Sequence, residues 1–226
     1  MRNVKFDDFE SLSQAAAQAF VLKCNEELLK KNSFDVAFSG GNTPKRMYEL
    51  LATPNYSKNI DWSKVKIALV DERHVPLTDQ NSNYKMIFEK LLSKIPIKKL
   101  NLAYPKFEKT IEHVVLNYEK QIYKLFNSKM PAFDLMIMGL GKDGHTASLF
   151  PKNEALKIKN KTVTAVYLPD QLNRISFTFP VLKKAELLLF LVSGPDKKKA
   201  FLSLAEKKSI LPASKVMENA IVFSDF

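Results

Sequence analysis

The sequence predicts an α/β fold, a mostly parallel sheet flanked by helices on both faces. Three observations carry this expectation. Short apolar runs alternate with longer amphipathic stretches along the chain, the pattern of repeated strand and helix units. All six glycines fall where such runs end, at 40 and 41, at 139, 141 and 144, and at 194, so three strand-to-helix turns are expected to line one crevice. The 226 residues, 46% of them hydrophobic, suit a single domain over residues 1–226, and no linker-like, repeated or low-complexity segment divides them.

The elements follow in order. Residues 8–31 place Phe9, Leu12, Ala16, Phe20, Leu22, Leu28 and Leu29 at helical spacing, with Ser11 and Gln14 as the expected capping box. A strand over 35–38 runs into Ser39-Gly40-Gly41-Asn42-Thr43-Pro44 and a helix over 45–51. Two glycines before a helix that opens with Thr-Pro leave N–H groups exposed, the parts of a phosphate cradle, although a plain tight turn has the same composition. A strand over 65–70 ends in Asp71-Glu72-Arg73, whose charges are expected to point from the sheet end into the crevice. Helices are expected over 84–95, with Met86, Ile87, Leu91 and Leu92 inward, and over 110–126, with His113 packed inside. His74 stands just past a strand, where exposure and function are equally open. Strands over 162–168, 174–179 and 186–192 come next, Arg174 opening the second. Ser193-Gly194-Pro195-Asp196 then turns into a helix carrying Lys197, and a last strand covers 220–223.

The densest chemistry lies at 134–151, DLMIMGLGKDGHTASLFP. A buried strand over 134–138 meets a glycine turn that carries Asp143 and His145, and a single helical turn is expected from Thr146 until Pro151 stops it. The glycines also spell G-x-G-x-x-G. A dinucleotide site, however, needs a long helix after the glycines and an acid closing the next strand. Pro151 ends the expected helix too early, and Asp170 falls in a Leu-Pro-Asp-Gln loop. A histidine beside an acid can move protons, whereas a lone turn histidine is more often structural.

Composition narrows the partners. The net charge of +11, from 35 Lys and Arg against 24 acids, raises nucleic acid as a partner. The lysines are scattered, as at Lys98-Lys99, Lys183-Lys184 and Lys197-Lys198-Lys199, so nucleic-acid binding is not expected and a preference for anionic small molecules remains. No obligate protein partner is evident. The single cysteine, Cys24, cannot form an intrachain disulfide and points to a reducing compartment. Residues 1–10 hold no apolar core of a secretory leader, and no apolar run has the length of a membrane span, so a cytoplasmic location without membrane attachment is expected. Three widely spaced histidines and one cysteine show no metal-ligand spacing, so no metal is expected.

SGGNTP at 39–44, DERHVP at 71–76 with SNY at 82–84, GLGKDGHTASLFP at 139–151, RISFT at 174–178 and SGPDK at 193–197 together resemble the 6-phosphogluconolactonase family, in family order and over nearly the whole chain. The related glucosamine-6-phosphate deaminases share the glycine loop, the DGH turn, the arginine and the lysine. They carry a catalytic glutamate shortly after that histidine, where this chain has Leu149 and Phe150. The resemblance implies the α/β fold shared with the deaminases. It also implies hydrolysis of 6-phospho-D-glucono-1,5-lactone to 6-phosphogluconate in the oxidative pentose phosphate pathway, without metal or organic cofactor. By motif, His145 would be the general base, with Asp143, Asp71 and Arg73 around it. Gly40, Gly41, Asn42, Thr43, Arg174 and Lys197 would hold the phosphate of the sugar lactone. Lys198 and Lys199 compete for the last role, and Lys197 is preferred because it stands three residues after Gly194.

The residues are consistent with this chemistry. Imidazole, with an ordinary pKa of about 6.5, can take a proton from water and return it at neutral pH. Arg73 or turn N–H groups could hold an oxyanion. A serine nucleophile, Ser39 or Ser148 with His145, is the alternative, but no G-x-S-x-G elbow is present. A deaminase-isomerase lacks its glutamate here, and a non-catalytic sugar-phosphate sensor would need an output module for which the elements leave no segment.

Overall fold

In the computed structural model, residues 1–204, 206 and 209–226 are described. Along the chain come β1 (Arg2–Lys5), α1 (Phe9–Lys30), β2 (Phe34–Phe38), α2 (Asn42–Leu51), α3 (Pro54–Ser57), β3 (Val65–Leu69), β4 (Asp71–Arg73), α4 (Asn83–Ile87) and β5 (Leu102–Ala103). They are followed by α5 (Ile111–Phe126), β6 (Leu135–Gly139), β7 (Val163–Val166), β8 (Arg174–Phe177), α6 (Phe179–Lys184), β9 (Leu188–Val192), α7 (Pro195–Leu204) and β10 (Ala220–Ser224). Seven strands form one parallel sheet in the order β1-β10-β9-β6-β2-β3-β5.

The sheet is buried on both faces, and side-chain alternation divides the core in two. On β6, Leu135 and Ile137 join Phe38 of β2, Leu12 and Phe20 of α1, and Met47 of α2, while Met136 and Met138 face Val114 and Tyr118 of α5. The chain builds outward from β2 to β3 and then returns to lay β6 on the other side of β2. The segments that leave the carboxyl ends of β2 and β6 therefore turn to opposite faces of the sheet, and a crevice opens at this switch point.

Several elements differ from expectation. The run expected to end in Asp71-Glu72-Arg73 breaks after Leu69, and those three residues form β4, the edge of a second, antiparallel sheet in the order β4-β8-β7. Local periodicity cannot reveal which partner a three-residue strand will choose. The short β1 and β5 and the helices α3 and α6 were not anticipated either. The helix expected over 84–95 is α4 continued by a π-helical turn over Phe88–Leu92. The α1 capping box is Asp8 with Ser11: the Asp8 carboxylate accepts from Ser11 N at 2.7 Å, and Asp8 N donates to Ser11 Oγ at 3.2 Å. Gln14 donates instead to Glu10 at 3.2 Å. Leu22 and Leu29 are 60% and 90% exposed, so the buried stripe of α1 runs through Leu12, Ala16, Ala17, Phe20, Val21 and Cys24.

Candidate active site

The DGH turn follows β6. Gly139 O accepts from Thr146 Oγ1 at 3.0 Å and His145 O accepts from Gly141 N at 2.9 Å, which closes the turn on itself. The expected helical turn from Thr146 is absent. Thr146 and Leu149 form an isolated bridge, and Ala147 sits at φ 51°, a left-handed conformation that no helix accommodates. This also removes the long helix that a dinucleotide site would require. The turn stacks His145 and Asp143 above Gly141, where a Cβ would stand 2.1 Å from His145 Nδ1 and 2.8 Å from Asp143 Oδ1. Gly141 is therefore glycine to admit the imidazole.

His145 Nδ1 lies 2.5 Å from Asp143 Oδ1. An ionised carboxylate only accepts, so Nδ1 carries a proton, and the lone pair of the neutral imidazole falls on Nε2. Burial opposes the charge on Asp143, but the hydrogen bonds from the His145 ring and amide prevail and hold its carboxyl below the ordinary value. The pair's contribution to stability is thus present above the ordinary carboxyl pKa and lost as pH falls through the lowered one. Phe150 covers the other side of the imidazole, its ring centroid 4.3 Å from that of His145.

On β4, alternation sends Asp71 and Arg73 into the crevice and Glu72 away from it. Glu72, expected to point the same way as its neighbours, is buried and accepts four hydrogen bonds, from the Arg73, Asn83 and Tyr84 amides and from Ser82 Oγ, at 2.7–3.0 Å. Burial nonetheless pushes its carboxyl above the ordinary value. Glu72 fastens the 82–84 segment against β4, and that places Asn83. Asn83 Nδ2 donates to Asp71 O at 2.9 Å, and its side chain occupies the space a Cβ on Gly40 would need, 1.9 Å from Asn83 Oδ1. Ser148 Oγ donates to Asp71 Oδ2 at 2.6 Å, while Ser39 Oγ is buried without a partner. Neither serine is bonded to His145, and the serine-nucleophile alternative loses its geometry.

The cations gather opposite. Arg73 and Arg174 are direct cross-strand partners on β4 and β8. Like charges placed opposite one another in a sheet repel. Burial and the Arg73 charge press the Arg174 guanidinium below its ordinary pKa. Lys197, in the first turn of α7, donates to Thr43 Oγ1 at 3.1 Å and joins the Gly41 turn to the Gly194 turn. Among the described residues, no acid forms an ion pair with Arg73, Arg174 or Lys197. Gly41, at φ 94°, provides no side-chain cap for α2, whose first N–H groups remain available.

Asp71, Arg73, His145, Arg174, Lys197 and the Gly40–Thr43 segment all line one cavity of about 300 Å³. Asp143 supports it through His145. Lys198 and Lys199 are exposed and do not line it. Asn83, Ser148 and Gln171 line it as well, although sequence reasoning gave them no binding role. Asn83 had a signal, the SNY run at a fixed distance after DER; Gln171, in a loop without pattern, had none. Two histidines lie elsewhere. His113 is exposed and not packed as expected, and His74 holds Glu108 O at 2.9 Å and stacks on Phe107.

Comparison with known proteins extends this picture. The sequence model of the family described as Glucosamine-6-phosphate isomerases/6-phosphogluconolactonase matches residues 7–223. The chain belongs to that family. Within the 6-phosphogluconolactonases, the chain is 37% identical over 226 residues to a probable 6-phosphogluconolactonase of Schizosaccharomyces pombe, covering 92% of this chain and 86% of the relative. It is 32% identical over 197 residues to a 6-phosphogluconolactonase of Nostoc, covering 85% and 80%. The crystal structure of 6-phosphogluconolactonase from Thermotoga maritima superimposes with a TM-score of 0.86 at 28% identity, covering 100% of this chain and 99% of that one. A monomeric glucosamine-6-phosphate deaminase, at 19% identity, shares the fold with a TM-score of 0.83. The family resemblance carried by the motifs, and the α/β fold it implies, are thus established. No helix among the described residues is long and apolar enough to cross a membrane.

Proposed function

We propose that the protein hydrolyses 6-phospho-D-glucono-1,5-lactone to 6-phosphogluconate, with His145 as general base. The observation that carries this reading is His145, paired through Nδ1 with Asp143, in the same cavity as three cations that meet no acid partner among the described residues. Curated relatives named for this lactonase support the substrate. In the proposed step a water oxygen bonds to C1 as Nε2 takes its proton, and the carbonyl becomes an oxyanion facing Arg73. The C1–O5 bond then breaks, and the imidazolium returns the proton to the departing ring oxygen. Asp143 holds the tautomer and supports the imidazolium. Gly40, Gly41, Asn42, Thr43, Arg174 and Lys197 hold the phosphate, whose dianion neutralises the Arg174 and Lys197 charges. Ser148 and Asn83 fix the Asp71 carboxylate, which is placed to accept from a sugar hydroxyl. The deciding assay follows hydrolysis of enzymatically generated lactone, corrected for its spontaneous opening. Rates no higher than the uncatalysed reaction would refute the proposal.

Two further outcomes are expected. Chelators should leave kcat within about two-fold, because the cluster of possible metal ligands among the described residues, Glu27, Asp134 and Glu186, lies at the amino ends of β6 and β9 and is already paired with Lys23, Lys30 and Lys31. Loss of activity on chelation, restored by a divalent ion, would contradict imidazole-only activation. The protein should also release no ammonia from glucosamine 6-phosphate. Phe150, packed on His145, and the buried Leu149 stand where the deaminases keep their glutamate. Ammonia formation at a rate near that of lactone opening would place the protein with the deaminases.

A further inference from the structure

Beside the active-site cavity lies a second one, also of about 300 Å³, and Gly41, Asn42, Arg73 and Asn83 line both. The remaining wall of the second cavity is basic. Lys45, Lys85 and Lys90 line it, with Glu89 as its acid. Lys90 is neutralised by Glu49 at 2.8 Å. Lys85 donates to Thr78 O at 3.0 Å, and among the described residues neither Lys85 nor Lys45 forms an ion pair. Arg73 donates to Asn81 O at 2.5 Å, and its Nε is buried without any partner.

The placement of Lys45 is costly in itself. It stands in the first turn of α2, whose dipole disfavours a cation, and no acid in that turn offsets it. Set against Glu89, the charges of Lys45, Lys85 and Arg73 leave a net excess close to the charge of one phosphoryl dianion, about −1.5 to −2 at pH 7. The ammonium groups of Lys45 and Lys85, which line this cavity and not the first, offer charge-assisted donors for such a group.

We propose that this second cavity is an anion site separate from the one that holds the substrate phosphate, and that it takes a phosphoryl dianion carried by a second small molecule. Arg73 borders both cavities, so an occupant of the second draws on a guanidinium that also faces the first. The ligand class follows from charge and donor type, and the site needs no lactonase activity to exist.

Equilibrium dialysis with radiolabelled inorganic phosphate tests this at fixed ionic strength. The wild-type chain should take up two phosphates at saturation and Lys45→Ala/Lys85→Ala only one. Arg174→Ala/Lys197→Ala, which disables the first cavity, should also take up one, and that remaining phosphate should bind at least ten-fold more weakly once Lys45→Ala/Lys85→Ala is added. The control Lys159→Ala/Lys161→Ala, which removes two exposed lysines elsewhere, should still take up two. Unchanged uptake by Lys45→Ala/Lys85→Ala relative to wild type, or equal losses in the control, would overturn the second site. Thermal melts identify any misfolded variant, for which Gln replaces Ala. No arm depends on turnover, and a first cavity that held no phosphate would lower the wild-type count by one but leave the loss caused by Lys45→Ala/Lys85→Ala in place.

Discussion

Replacing His145 by alanine should lower kcat on the phosphorylated lactone by about 10²–10⁴-fold, the range a positioned general base supplies, while KM changes little. The imidazole sits at a carboxyl strand end with Nδ1 committed to Asp143 at 2.5 Å, and it contributes no charge to the cation cluster that would hold the phosphate. Its loss therefore removes an interaction made in the transition state and spares ground-state binding. A second variant tests the geometry with His145 in place. At Gly141→Ala the new methyl would stand 2.1 Å from Nδ1, so the ring must swing away and kcat should fall by about 10²-fold, as misplacement of a reacting group by about 1 Å does. Asp143→Asn should fall between wild type and His145→Ala, since an amide can hold the ring but cannot support its positive charge. Steady-state rates corrected for spontaneous opening measure all three. A His145→Ala enzyme within ten-fold of wild-type kcat would remove His145 from the mechanism.

The parts of this site that were legible in the sequence are those where backbone chemistry is local. Gly40-Gly41 and Gly139 to Gly144 announce sharp turns at strand ends, and the parallel direction of β2, β3, β6 and β9, though not their order, follows from strand and helix alternation. Asp143 and His145 are two residues apart, so their pairing was readable as well. What stayed hidden depends on contacts between distant segments. Ser148 reaches Asp71 across 77 positions, and Asn83 packs on Gly40 through a loop whose only pattern is a polar run. The antiparallel sheet of β4, β8 and β7 sets Arg73 against Arg174, a repulsion no local propensity favours. The helical turn expected after His145 failed for a related reason. Thr146 Oγ1 bonds back to Gly139 O, Ser148 N donates to Ser176 Oγ at 3.1 Å, and these tertiary bonds outweigh a weak helical preference.

Lys197→Ala should reduce kcat/KM on the phosphorylated lactone by about 10- to 150-fold, the equivalent of the 1.5–3 kcal/mol that a hydrogen bond to a charged group contributes. On plain glucono-1,5-lactone it should change kcat/KM by less than about two-fold. The lysine is half-buried, bonded to Thr43 Oγ1 at 3.1 Å and free of any acid among the described residues, whereas its neighbours Lys198 and Lys199 face solvent. In the first turn of α7 its charge opposes the helix dipole, so the helix itself disfavours a cation there. The phosphate is remote from C1, and its contacts bind ground state and transition state alike; the loss should therefore appear mainly as a raised KM. A concurrent fall in kcat would measure the share of phosphate binding used to orient C1 against the attacking water. Arg174→Ala gives the complementary reading. It too should lose activity only on the phosphorylated substrate, yet the unliganded protein should melt no lower than wild type, because the substitution relieves the Arg73–Arg174 repulsion. Equal losses on both lactones for Lys197→Ala would show that this lysine does not read the phosphate and would move that role to Arg174 and the Gly40–Thr43 amides.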